Sequence, residues 1–271
     1  MLYLVPTPIG NMEDITLRTL RVLRECDKVY CEDTRRTGAL LHQLEIKKPL
    51  VACHEHNERE RAEQLVRELG EGLNIAYASD AGMPGISDPG ALLVRECIEN
   101  GLPYTVLPGA SASLTALVLS GFPSENACFA GFLPREGKKR RERIAALCSH
   151  PGTLIFYESP LRLSATCAEL YALLGERDAA LCRELSKLYE ECVRAPLSEL
   201  AERYKDQAPR GECVLLVAQR GENAQSSDPR ELLSELLSRG LSAKDAAKQA
   251  SALADIPRNE AYALALELQK K

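Results

Sequence analysis

Tryptophan is absent from this chain of 271 residues, phenylalanine occurs four times, and aromatic residues make up only 5%. Long stacking platforms for a single nucleic-acid strand are therefore not a feature of the sequence. Ten cysteines are present, but no C-x-x-C pair is found among them. The opening residues MLYLVPTPIG lack the basic start and apolar stretch of a secretory signal. No run of about 18 apolar residues is present, so no membrane-spanning helix is expected. Reduced thiols in a cytoplasm, most of them small core residues, fit this pattern.

Several chemistries lose their usual signatures. There is no G-x-S-x-G nucleophile turn and no G-x-G-x-x-G dinucleotide turn. GFLPREGKK (131–139) has five residues between its glycines, and Lys139 stands where a P-loop needs Ser or Thr for magnesium. His54-Glu55-His56 lacks the H-E-x-x-H spacing of a zinc helix; no metal is expected. The net charge of −5 excludes a basic field over the whole molecule, so any nucleic acid must meet a local patch. Hydrophobic residues make up 45% and charged residues 27%, as in ordinary globular chains.

What remains is an alternation of short apolar runs with helical patterns. LYLV (2–5), KVYC (28–31), LVAC (50–53), NIAYA (74–78) and YTVL (104–107) read as strands. Leu17, Leu20 and Leu23 recur at helical spacing behind Asp14 or Thr16 as cap. Asn57 with Glu60 resembles a capping box, and Asp88-Pro89 reads as N-cap and N1 of the next helix. A further helix opens near Ser111. This order predicts a parallel, doubly wound α/β domain over residues 1–120. The pattern resets at GFPSENA (121–127). CFAGF, TLIFYE, a strand pair within 179–195 and CVLLVA (213–218) predict a second α/β domain with a mixed sheet over 121–221, with Ser159-Pro160 capping one of its helices. ENAQSSD (222–228) reads as a polar linker, and three short helices fill the rest of 222–271, one of them behind Ser242 and Asp245.

Three turns rich in glycine and proline follow strands of the first domain: PTPIGN (6–11), SDAGMPGISDPG (79–90) and PGASAS (108–113). Ligands of doubly wound sheets bind where strands end. Glycines strip side chains from such turns, so a ligand can approach main-chain N–H and C=O groups. REGKKRRER (135–143) carries six basic and two acidic residues, a local balance of +4 that can neutralise phosphates.

Seven segments, LYLVPTPIGN, CEDTRRT (31–37), SDAGMPGISDPG, PGASA, FYESPLR (156–162), RELSKLYEE (183–191) and PRGE (209–212), occur in one order along the chain. Together with IPRNEAYALALEL (256–268) they resemble the ribosomal RNA small subunit methyltransferase I family, within the wider tetrapyrrole-methylase superfamily. The resemblance covers essentially the whole chain. It departs at Pro6, Met83 and Gly85, and at Leu161 and Tyr189, which stand where the family usually has histidine; neither histidine is then an indispensable proton carrier here. The resemblance implies transfer of a methyl group from S-adenosyl-L-methionine to a cytidine ribose 2′-hydroxyl of 16S rRNA, a cofactor held between two α/β domains, and a homodimer. By that resemblance the cofactor would meet Pro8, Ile9, Gly10, Asp80, Ala81, Gly82, Met83, Ile86, Ser87, Pro108, Gly109 and Ser111, with Tyr157, Pro209 and Gly211 as the opposite wall. Lys187, Glu184 and Asp33 are the candidates for catalysis, Lys187 as base. Arg35, Arg36 and Arg183, with Arg135, Lys138, Lys139, Arg140 and Arg141 of the basic run, are the candidates for RNA. A methylase of small substrates such as tetrapyrroles, and a non-catalytic RNA-binding protein, are the alternatives.

Overall fold

The computed structural model describes residues 1–219, 229–238, 241–254 and 256–269. It contains two compact units: Met1–Thr115 with Leu185–Leu188, and Ala116–Glu184 with Tyr189–Lys271. The predicted linker at 222–228 lies outside the described residues.

The first unit holds five parallel strands: β1 (Leu2–Val5), β2 (Lys28–Cys31), β3 (Leu50–Ala52), β4 (Ile75–Ala78) and β5 (Tyr104–Val106), in the order β3-β2-β4-β1-β5. Alternation along the interior strand β1 divides the core. Leu2 and Leu4 pack with Ala62, Leu65 and Leu69 of helix α3 (Glu58–Gly70) and with Leu93 and Cys97 of helix α4 (Ala91–Glu99). Val5, on the other face, packs with Val22 and Leu23 of helix α1 (Leu17–Glu25) and Leu41 of helix α2 (Thr34–Gln43). Each fully buried leucine contributes roughly 2 kcal/mol relative to exposure, which fixes which helix covers which face. β1 lies between β4 and β5, so the three bare turns leave neighbouring strand ends.

Of three expected caps, one is met and two fall differently. Thr16 caps α1 by accepting from Thr19 N (3.0 Å), as one of the two candidates. Asn57 forms no side-chain cap. Its amide donates to Ala52 O and its Oδ1 accepts from His54 N, tying the end of β3 to α3. Helix α4 begins after Gly90, not after Asp88: Gly90 has φ +123°, and a Cβ there would stand 2.9 Å from the Tyr77 ring. The Gly90 N–H is capped from α3, by Glu58 Oε1 at 2.8 Å.

Helix α5 (Ala112–Ser120) leads into the second unit, where β6 (Cys128–Phe132), β7 (Leu154–Glu158), β8 (Asp178–Arg183), β9 (Glu191–Pro196) and β10 (Cys213–Val217) form a sheet of order β6-β7-β10-β8-β9. β6 and β7 are parallel and the other pairs antiparallel. Helices α6 (Gly137–Leu147), α7 (Leu163–Leu174) and α8 (Leu197–Arg203) bury Ile144, Leu147, Leu170 and Leu200 against it. Ser159 makes no cap hydrogen bond; the chain enters α7 through a 3-10 turn at Pro160–Arg162. Helices α9 (Pro229–Ser238), α10 (Ala243–Ala254) and α11 (Arg258–Leu268) share a separate small core, in which Ala246, Ala250, Ala261 and Ala265 allow close approach around Leu233. Ser242 caps α10, its Oγ accepting from Asp245 N at 3.2 Å.

Candidate active site

The three bare turns meet. Thr7 and Gly82 exchange both backbone hydrogen bonds, each 3.0 Å. The Thr7 hydroxyl donates to Ser79 O, and the Ser79 hydroxyl donates to Gly82 O. A Cβ on Gly82 would stand 3.3 Å from Ile9 and 3.7 Å from Ala110 O, and one on Gly109 would stand 2.7 Å from Pro6 Cβ. The sequence attributes this bareness to ligand approach. At Gly82 and Gly109 the structure gives a nearer cause: the turns press on one another, and a side chain would part them. Ile86 is exposed, and Ile9 and Met83 are half-buried.

Asp80 ties this junction to the CEDTRRT segment. Its Oδ1 accepts from Asp33 N (3.2 Å), and its Oδ2 stands 3.3 Å from Arg36 Nη1. Asp33 caps α2 through Arg35 N (2.8 Å) and pairs with the Arg35 guanidinium at 2.7 Å, which holds its carboxyl down at about 2. Asp33 is thus engaged at a helix start. Asp88 is different. Burial, with the nearby charges of Glu32 and Asp80, pushes it up to about 6. Burial and Asp80 also raise Glu32. Beneath that loop the Tyr77 hydroxyl is buried with no hydrogen-bond partner among the described residues.

Residues 185–188 belong to the first unit and lie on its opening turn. A Cβ on Gly10 would stand 2.9 Å from Leu185 O and 3.1 Å from Lys187 Cε. Ser186 Oγ donates to Asp14 Oδ2. Glu184 (φ +51°) and Ser186 (φ +67°) both have left-handed backbone, a conformation that costs of order 1 kcal/mol or more per residue and clusters at functional sites. Lys187, next to this segment, lies against the turn after β1.

The second unit holds the other predicted residues. Tyr157 packs edge-on against Phe129 and Phe132. The Glu184 carboxylate accepts from Glu212 N (3.1 Å), and a Cβ on Gly211 would overlap it, so Glu184 shapes the PRGE turn. Arg183 pairs with Glu191 Oε2 (2.5 Å). The basic run divides in two. Arg135, Lys138, Lys139 and Arg141 are exposed. Arg140 is buried: it contacts Glu169 Oε2 (2.5 Å), Thr166 Oγ1 (2.8 Å) and Pro134 O (3.0 Å), so its guanidinium faces the interior and not a phosphate.

Residues 1–201 match the family of Tetrapyrrole (Corrin/Porphyrin) Methylases, and residues 223–269 match the RsmI C-terminal HTH domain. The chain is 46% identical over 274 residues to a Ribosomal RNA small subunit methyltransferase I of Escherichia coli O157:H7, covering 99% of this chain and 95% of that one. The chain belongs to the ribosomal RNA small subunit methyltransferase I family of tetrapyrrole methylases. A second member, from Halalkalibacterium halodurans, is 42% identical over 268 residues, 96% of this chain and 93% of its own. Among solved structures, a diphthine synthase superposes with a TM-score of 0.64 at 16% identity, covering 97% of this chain and 99% of its own. A Thermus thermophilus uroporphyrin-III C-methyltransferase complexed with S-adenyl homocysteine does so with 0.59 at 22% identity, covering 80% and 96%. At such identities these two establish the tetrapyrrole-methylase fold alone.

For a member of this family, the residues that sequence reasoning missed are the ones that hold the recognised motifs in place. Glu158 is buried in FYESPLR, accepting from Ser159 N and Arg162 on one oxygen and from Thr166 Oγ1 on the other. Thr166 in turn accepts from Arg140. A glutamate closing a strand that is otherwise apolar was the available signal; its partners, 4 and 8 residues on, needed the fold.

Proposed function

We propose that this protein transfers the methyl group of S-adenosyl-L-methionine to the ribose 2′-hydroxyl of a cytidine in 16S rRNA of the small ribosomal subunit. The observation that carries the reading is the match to rRNA methyltransferase I along almost the whole chain, turns and helical tail included. The junction of the three turns fits the donor in kind: a carboxylate at Asp80 and apolar flanks at Ile9, Met83 and Ile86. When bound, the cofactor supplies an electrophilic methyl group on a sulfonium, and in-line displacement then needs neither metal nor covalent enzyme intermediate.

The work left to the chain is alignment, worth several orders of magnitude in rate, and removal of the hydroxyl proton. Pro8–Gly10, Asp80–Met83, Ile86, Ser87, Pro108, Gly109 and Ser111 bind and orient the donor. Tyr157, Pro209 and Gly211 are added on the resemblance alone. Lys187, held on the turn after β1, accepts the proton. Arg35, Arg36, Arg183 and the exposed cations of 135–141 hold phosphates. The enzyme is proposed to act as a homodimer in the cytoplasm; all ten cysteines are free thiols, and no helix among the described residues is long and apolar enough to cross a membrane.

Calorimetry with S-adenosylhomocysteine, run on wild type and Lys187→Met, tests the assignment. Wild type and variant should both bind it, while the variant loses turnover on 30S subunits. Full turnover in the variant would reject Lys187, and no binding by wild type would reject the methyltransferase reading.

A further inference from the structure

Phe132 is more than half exposed (56%) in a chain with four phenylalanines and no tryptophan. Its exposure is built by the backbone. The register of β6 against β7 slips between Phe129 and Gly131: Phe129 pairs with Ile155, Gly131 with Phe156 and Phe132 with Tyr157. Ala130 is the extra residue, and Gly131 has φ +66°, as at a β-bulge. In a regular strand, residues 129 and 132 face opposite sides. The bulge puts both on the side of Tyr157, and both rings meet its edge, at 4.9 Å and 5.5 Å between centroids. Phe132 is the outer ring of this trio.

The chain then turns directly into the basic helix. Leu133 is buried, and Pro134 O accepts from Arg140, whose guanidinium is anchored on Thr166 and Glu169 of α7. The start of α6, at Gly137, is thereby fixed five residues beyond the exposed ring. Arg135, Lys138, Lys139 and Arg141 follow the ring in sequence and are exposed. An exposed aromatic ring in a segment that continues into exposed cations is a combination that binds unstacked nucleobases: the ring stacks the base, and the cations hold flanking phosphates.

We propose that Phe132 is a stacking subsite for one unpaired base of the RNA substrate, braced by Tyr157 and Phe129, with the exposed cations of α6 on the neighbouring phosphates. This deepens the rRNA reading and rests on it. One ring seats one base, which agrees with the scarcity of aromatics elsewhere.

The test uses the full chain with 30S subunits lacking the modification. Phe132→Ala should raise KM for 30S roughly 5- to 150-fold, leaving S-adenosylhomocysteine affinity and thermal stability unchanged, while Phe132→Tyr restores it. Stacking is uncharged, so Phe132→Ala should keep the salt dependence of RNA binding, whereas Arg141→Gln should lower its slope by about one. Unchanged KM in Phe132→Ala, with wild type active, overturns the stacking subsite and leaves the methyltransferase reading standing. A change in oligomeric state on Phe132→Ala also overturns it, assigning the ring to a contact between copies. Wild type that neither binds nor methylates 30S overturns both.

Discussion

Gly10 leaves the space that the Lys187 side chain fills: a Cβ at position 10 would stand 3.1 Å from Lys187 Cε and 2.9 Å from the carbonyl oxygen of Leu185. The carbonyl belongs to backbone already held at positive φ on either side, at Glu184 and Ser186, so it has little room to yield. Gly10→Ala should push the 185–188 turn outward by part of an ångström. Misplacement on that scale costs about 10²-fold in rate. Single-turnover methylation of 30S subunits should fall by about that factor while the circular dichroism spectrum is retained. Wild-type turnover in Gly10→Ala would separate Lys187 from the chemistry.

Asp88 gives a pH signature that needs no substrate. Its carboxyl is raised from 3.8 to about 6 in the folded protein, so the folded state holds the proton more tightly than the unfolded one. Stability therefore falls as pH rises from about 4 through about 6, and the full cost of ionising Asp88 is present above that. Asp88→Asn removes the cost. Its melting temperature should exceed that of wild type at pH 8, and the two should converge towards pH 4. A lower melting temperature for the variant at pH 8 would contradict this account of the carboxyl cluster.

Arg140 and Arg141 are adjacent in sequence and opposite in role. Arg140→Met leaves Glu169 and Thr166 without their buried partner, a loss of about 3 kcal/mol, or roughly 6–12 °C in a chain of this size. Arg141→Gln should leave the melting temperature unchanged and weaken RNA binding with a smaller salt slope. Equal thermal effects for the pair would contradict the inward placement of Arg140.

The contrast within that run shows where the sequence is readable. Alternating apolar runs disclosed β1 to β5 and the mixed second sheet, because burial on one or both faces imposes a period on local residues. The bare turns were legible as neighbours at the strand ends, since glycine and proline cluster in them. Tertiary partners were not. Asp88 before Pro89 has the local form of a cap, yet Tyr77 and Glu58, distant in sequence, set the helix start at Gly90. Arg140 reads as one of six cations until α7 supplies Glu169. RELSK reads as a continuation of the second domain, whereas its residues 185–188 pack in the first unit. The bulge at Ala130–Gly131 carries only a glycine as signal, and its consequence for Phe132 depends on the register with β7.

Transfer of a labelled methyl group from S-adenosylmethionine, offered separately to 30S subunits, naked 16S rRNA and a porphyrinoid and followed by nucleoside analysis, tests the central claim most directly. Label recovered as 2′-O-methylcytidine from ribosomal RNA is the predicted result. Label on the porphyrinoid, on a base in place of the ribose, or on none of the three would contradict it.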